Sequence, residues 1–293
     1  MSHNPNISVI IPVKNGADTI DDCLKAVFKQ TLIHLTEVII IDSGSTDHSL
    51  EIIKKYPVRL YQISPKEFGH GKTRNFGVSL AKGKFIVMTV QDARPATNDW
   101  LEILLSNFHD KEIVAVCGQQ AVPHEKDKNP LQWYRPVSKA DTQTVQFKSG
   151  EFEKLNPFEQ RKYCSWDDVN AMYRKSILQK VPFEDVAFGE DMIWAKTVLI
   201  QGYKIAYDMR ARVWHYHHYT NLEKLKYRVF NELYFKYKTF GLIPENIYNF
   251  KHFIKIIFFC IKYKVGLNWW IYNLKINLIM RKETIKFIKR YAK

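Results

Sequence analysis

Apolar residues in this chain gather into short β-branched runs that stop abruptly on polar ones. Ile7 to Val13 gives way to Lys14-Asn15-Gly16, and residues 38–41 give way to Asp42-Ser43-Gly44-Ser45-Thr46-Asp47. Continuous apolar runs of this length read as strands buried on both faces of a parallel sheet, and such sheets hold ligands beyond the carboxyl ends of their strands. The pattern therefore predicts Asp42 at the mouth of a nucleotide-sized crevice. The same stretch also has the composition of a plain turn whose side chains bond their own backbone.

Strand and helix periods then alternate. Over residues 18–30, Ile20, Leu24, Val27 and Phe28 share one helical face. A helix over 47–56, a strand over 58–63, a helix ending near Ala81, a strand over 84–90, a helix over 98–108 and a strand over 113–118 follow. This alternation predicts a Rossmann-like α/β fold: a doubly wound, mainly parallel central sheet flanked by helices. Between 119 and 165 the periodicity fades, and Trp133, Tyr134, Phe147 and Phe152 are scattered among polar residues, the composition of an ordered lid or binding loop. Regular signals return at 173–179 and 189–201, and strands over 204–207 and 212–215 complete a domain of residues 1–220.

Residues 221–293 read as a separate, helical region in which aromatic, aliphatic and basic residues interleave. Of 44 Lys and Arg and 30 Asp and Glu in the chain, 16 and 4 lie here, so most of the net charge of +14 belongs to this quarter. A basic extension of this kind points to an anionic partner. Lys255, Lys262 and Lys264 interrupt its apolar run too often for a membrane span, while Trp269, Trp270 and Tyr272 suit the headgroup layer. The expectation is an anionic membrane surface rather than nucleic acid, with packing on the catalytic domain or on a second subunit as the alternative. Cys23, Cys117, Cys164 and Cys260 are too widely spaced for a zinc cluster or a disulfide framework, and the first six residues carry no signal region. Both readings predict a cytoplasmic chain, peripheral on the inner face of the cell membrane.

Four groups of residues can carry chemistry. Asp92 ends a strand near the predicted sheet centre, where a carboxylate can ligate Mg²⁺ or Mn²⁺ beside a diphosphate; before Ala93-Arg94-Pro95 it equally suits a turn. Glu190-Asp191 opens a predicted helix, and capping that helix needs only one acid. Asp191 can then serve as a general base, leaving Glu190 for substrate hydroxyls or for orientation. His215 and His217 alternate with His218 after the last strand, and one of the first two can complete a metal site, although histidines at a core edge are the commoner outcome. His70-Gly71-Lys72-Thr73-Arg74-Asn75 joins cations to a helix start, which suits phosphate, but it is not a Walker loop.

Taken in order, Ile-Pro-Val-Lys-Asn-Gly at 11–16, Ile-Asp-Ser-Gly-Ser-Thr-Asp at 41–47, Thr73-Arg74-Asn75 with Gly77, Gln91-Asp92-Ala93 with Pro95, and Gly189-Glu190-Asp191 resemble the family 2 glycosyltransferases of the GT-A fold. The resemblance covers about residues 1–220. It implies an inverting transfer from a nucleotide-diphosphate sugar to a lipid-linked surface-polysaccharide acceptor, with Asp191 as base. It further implies that Pro12, Asn15, Asp42, His70, Arg74, Gln91 and Asp92 hold the donor, and that Glu190 and Trp166 orient the acceptor. Asp92 and His215, or alternatively His217, would hold the divalent metal. Val90 departs from the pattern, standing where the first acid of Asp-x-Asp is expected. Phe68-x-His70-Gly71-x-Thr73-Arg74-Asn75 with Gln91-Asp92-Ala93 looks most like the rhamnosyltransferase branch, which implies dTDP-L-rhamnose as donor.

Overall fold

A computed structural model of the chain describes residues 5–133, 138–217, 219–244 and 250–291, except the side chain of Trp133. Tyr134 and His218, singled out above, lie outside the described residues. The chain divides into two compact units. One contains the whole sheet and ends at His215; the other takes up segments 122–137 and 157–161 and the chain from Tyr216 onward.

In the first unit, β1 (Ile7–Val13), α1 (Ile20–Phe28), β2 (Thr36–Asp42), α2 (Ser49–Ile53), β3 (Arg59–Gln62), α3 (His70–Leu80) and β4 (Phe85–Met88) alternate as their periods predict. β1 pairs in parallel with β2 and β4, and β2 with β3. Val9, Ile10 and Ile11 are all fully buried, so both faces of β1 are covered and a continuous apolar run is what the position requires. One face packs on α1 and on α4 (Trp100–Ser106) through Leu24, Val27, Leu101 and Leu104. Each such side chain withdrawn from water contributes about 1.5–3 kcal/mol. α3 covers the other face at close range. A Cβ on Gly77 would lie 2.6 Å from Cγ2 of Ile10, so only glycine lets that helix settle there. Pro12 is tolerated in this central strand because β4 pairing ends at the Ile10–Met88 pair, leaving no ladder bond for its missing N–H.

Beyond β4 the sheet becomes mixed. β5 (Arg94–Pro95), β6 (Ile113–Ala121), β7 (Thr142–Val145), β8 (Ala171–Arg174) and β9 (Lys204–Trp214) complete the nine strands found among the described residues, in the order β3-β2-β1-β4-β8-β6-β9-β5, with β7 on β9. β8 runs antiparallel between β4 and β6. It has four residues and leads directly into α7 (Lys175–Lys180), so neither period can register in so short a segment. The two strands expected over 204–215 are the single strand β9, whose register on β6 shifts between Cys117 and Gln119. The aperiodic stretch holds two short helices, α5 (Pro130–Trp133) and α6 (Pro157–Tyr163). Phe147 meets Phe152 and Tyr163 edge-on, with centroids 5.5 and 5.2 Å apart. α8 (Glu190–Ile200) precedes β9.

The second unit is built mainly on α9 (Leu222–Phe240), α10 (Phe250–Lys262) and α11 (Leu267–Tyr291). Asn221 caps α9 by accepting from the amides of Glu223 and Lys224. Phe287 of α11 packs against Phe230 and Tyr237 of α9, each with centroids 6.1 Å away. No helix among the described residues is long and apolar enough to cross a membrane.

Candidate active site

Three loops are tied together where β1, β2 and β4 end. Asp42 is fully buried, and its carboxylate accepts from the amides of Gly44 (3.0 Å) and Ser45 (3.1 Å), the self-bonded turn that its composition also allowed. Ser45 Oγ accepts from the amide of Asn15 at 2.9 Å, while Asn15 Oδ1 accepts from the amide of Thr46 at 2.8 Å. Asn15 itself has φ 48°, a left-handed conformation that asparagine tolerates better than most residues. Gln91 clamps the end of β1, accepting from the Lys14 amide at 2.7 Å and donating to the Lys14 carbonyl at 3.2 Å. Pro12 is half-buried, whereas His70, the first residue of α3, is exposed with its ring edge-on to Phe68.

Beyond the β4 end, Asp92 Oδ1 faces His215 Nε2 at 3.5 Å. A carboxylate oxygen and an imidazole nitrogen at that separation fit adjacent positions around one divalent ion. The other ring nitrogen of His215 lies 2.6 Å from Gln120 Oε1, and Gln120 Nε2 donates to Asp167. With the amide turned that way, Gln120 presents an acceptor, so His215 carries its proton on Nδ1 and leaves Nε2 as the ligating atom. His217 follows the end of β9 at Trp214, is exposed and belongs to the second unit.

A cluster of acids stands beside this pair, Asp168 and Glu190 buried and Asp167 and Asp191 half-buried. Because β8 runs antiparallel, its start lies opposite the end of β4, with Ala171 paired to Met88. Asp167 and Asp168, just before β8, therefore reach the same sheet edge as Asp42 and Asp92. Gly189 (φ 78°) turns the chain into α8 in a conformation that favours glycine, and Glu190 and Asp191 follow as its first residues. Asp191 Oδ2 accepts from the Asp168 amide at 3.3 Å, and its Oδ1 lies 2.7 Å from the Met192 amide. Burial, reinforced by the charge of Glu190 and opposed by Arg74, pushes the Asp191 carboxyl up to about 6. Burial and the charge of Asp191 raise Asp167 to about 6 as well.

Arg74 departs from its expected place against donor phosphate. Its side chain is 8% exposed, with Nε 3.0 Å from Asp168 Oδ2 and Nη1 2.5 Å from Glu190 Oε1. Burial opposes its charge, but Asp168 and Glu190 more than offset that and raise its pKa. Glu190 is likewise held inside, 5% exposed. Trp166 is buried among Tyr173, Trp194 and Tyr207, so its ring offers no open face for stacking a sugar. Its indole N–H donates to the Tyr173 hydroxyl at 2.6 Å, and Tyr173 donates onward to Asp168, so Trp166 acts on the site through two intermediaries. Gln120, Asp167, Asp168 and Tyr173 went unread in the sequence. The Asp167-Asp168 pair, separated from the apolar Ala171-Met172-Tyr173 run by Val169-Asn170, carries a polar-to-apolar switch like that at Asp42, but before the start of a strand rather than at its end.

A curled mixed sheet with its polar loops gathered on one edge is the GT-A glycosyltransferase architecture. The mannosyltransferase PcManGT from Pyrobaculum calidifontis, solved with GDP-Man and Mn²⁺, shares it at TM-score 0.57 and 16% identity over 99% of this chain and 76% of that one. TarS (residues 1–349) from S. aureus, solved with UDP, shares it at TM-score 0.56 and 18% identity over 76% of this chain and 63% of that one. The chain belongs to glycosyl transferase family 2, whose family model matches residues 8–182, and it is a glycosyltransferase. It is 36% identical over 220 residues to the O-antigen chain rhamnosyltransferase WbaN of Salmonella anatum, covering 74% of this chain and 68% of that protein. It is 33% identical over 224 residues to RfbN, an O-antigen chain rhamnosyltransferase of Salmonella typhimurium, covering 75% and 69%.

Proposed function

We propose that this chain transfers a sugar, with inversion, from a nucleotide-diphosphate donor to a hydroxyl of a lipid-linked surface-polysaccharide acceptor at the cytoplasmic face of the membrane. The donor sugar is rhamnose, carried as dTDP-L-rhamnose, which the likeness to two O-antigen rhamnosyltransferases supports. One observation carries the reading: the Asp92–His215 pair and the Asp191 carboxylate belong to one bonded network, running from His215 through Gln120 and Asp167 to the 167–168 backbone that holds Asp191.

The geometry divides the labour. The loops joined by Asn15 and Gln91, with Pro12 and Asp42 at the strand ends, form the floor for base and ribose, Asp42 shaping its own loop by bonding that loop's amides. His70, exposed at the start of α3, reaches toward the diphosphate. Asp92 and His215 would hold Mn²⁺ or Mg²⁺, and their mixed oxygen and nitrogen donors favour Mn²⁺. That ion, when bound, neutralises the charge that builds on the departing diphosphate. Asp191 takes the proton of the acceptor hydroxyl as its oxygen attacks the anomeric carbon, and the nucleotide diphosphate leaves from the opposite side. A carboxyl raised to about 6 is ionised at neutral pH yet more basic than an ordinary aspartate, which suits a general base. Arg74 and Glu190 position that base rather than touching substrate.

Thermal shift across a panel of nucleotide sugars with Mn²⁺ tests the reading. A donor present at about 100 times its Kd adds about 2.7 kcal/mol to the folded state. The expected result is a rise in Tm with dTDP-L-rhamnose above that with dTDP alone; stabilisation by UDP- or GDP-sugars instead reassigns the donor, and none from any nucleotide sugar overturns the proposal.

A further inference from the structure

We infer that helix α10 docks on an anionic lipid bilayer, lying in its surface plane with one apolar stripe inserted. This deepens the membrane part of the proposed function and rests on that reading, but it stands on residues remote in sequence from the donor loops. Phe250, Ile254, Phe258 and Ile261 recur at intervals of four, four and three, and all are exposed, at 69%, 50%, 57% and 64%. At about 100° per residue they fall within an arc of roughly 80°. Large apolar side chains aligned in this way on a solvent face mark a surface that something covers.

Charge chooses the occupant. Lys251, Lys255 and Lys262 fall within the next roughly 60° of arc, so they line one long edge of the stripe, and α10 contains no Asp or Glu. Lysines beside an apolar stripe can lay their stems along lipid and extend their ammonium groups to phosphate. A second copy of this chain suits the face poorly. The region from Asn221 on carries 16 basic residues against 4 acidic, so two copies repel, and lysine is depleted in protein interfaces. α11 extends the pattern, with Leu267 and Ile271 exposed and the rings of Trp269 and Tyr272 packed edge-on at 5.2 Å, side chains suited to the headgroup layer.

The test is flotation of the full chain with vesicles of phosphatidylcholine alone or mixed with phosphatidylglycerol. Wild type is expected to float with the mixed vesicles. Ile254→Ser, Phe258→Ser and Ile261→Ser combined are expected to weaken that partitioning at least about tenfold, the equivalent of one inserted side chain. Lys255→Gln with Lys262→Gln is expected to lower binding to the anionic vesicles by about fivefold per lysine and leave neutral vesicles unaffected. Unchanged flotation of the triple serine variant overturns the inference. So does sedimentation showing that wild type is a dimer which the same substitutions dissociate. Hydrogen exchange on wild type serves as the check that needs no variant: vesicle-dependent protection over 250–262 and the first turns of α11 supports the inference, and protection that leaves 250–262 unchanged refutes it. Stabilisation by the sugar donor is read in parallel on each protein, so loss of membrane binding with donor binding intact separates this surface from the active site.

Discussion

Replacing Arg74 with Met removes a guanidinium that is 8% exposed and shared by Asp168 and Glu190 at 3.0 and 2.5 Å. Met has a similar volume, so the packing cost is small, and the loss falls on the two carboxylates left inside without a cation. Removing one partner of a buried pair typically costs about 3–5 kcal/mol. The penalty carries a pH signature. Without Arg74, the folded-state pKa of Asp168, already raised by burial, rises further above its unfolded value, so the folded variant binds an extra proton. Stability gained that way is fully present at low pH and lost as pH rises through the raised folded value. Urea unfolding followed by the fluorescence of buried Trp166 and Trp194 should therefore show the full penalty near about pH 8. Near about pH 5 it should be smaller, by about 1.4 kcal/mol per unit of raised pKa. Adding Glu190→Gln to Arg74→Met should recover part of the loss. A penalty under about 1 kcal/mol that does not vary with pH would refute the reasoning, because that is how solvated surface pairs behave.

Three further outcomes follow from the same network. The pH profile of kcat should fall on the acid side with a midpoint near 6, since protonated Asp191 cannot accept the acceptor's proton; a rate that stays flat down to pH 5 removes Asp191 as the base. Because Asp167 is raised to about the same value by burial and by Asp191, that limb belongs to the pair, and Asp167→Asn should shift it downward. Asp92→Ala should weaken Mn²⁺ binding, read by calorimetry, at least as much as the roughly 10- to 100-fold expected for Gln120→Leu, which leaves His215 without its orienting amide. Unchanged Mn²⁺ affinity in Asp92→Ala would remove the metal assignment.

The alternation of strand and helix over the first half of the chain was legible because strands buried on both faces need uninterrupted apolar runs, and β1 and β2 have them. The same logic put the polar residues after each run at the crevice edge, so the positions of Asp42, Gln91 and Asp92 could be read before their partners were known. β8 could not be read this way. Its four residues owe their extended form to β4 and β6 on either side, a tertiary cause that leaves no period in the sequence. Missing β8 hid Asp167 and Asp168, which reach the sheet edge only because that strand runs backwards. Arg74 illustrates a different limit. A cation at a helix start next to glycine suits phosphate on local grounds, and only the fold brings Glu190, 116 residues away, to meet it. The resemblance alone assigns Trp166 to the acceptor, whereas the packing of Tyr173, Trp194 and Tyr207 encloses it.

The account turns on Asp191 as the group that receives the acceptor's proton, and one variant addresses it directly. Asp191→Asn keeps the side chain's size and removes its basicity, so turnover with the donor identified by thermal shift should fall by about 10² to 10⁴, while donor affinity measured by calorimetry stays within about twofold. Turnover of Asp191→Asn equal to wild type, with donor still bound, would contradict the account.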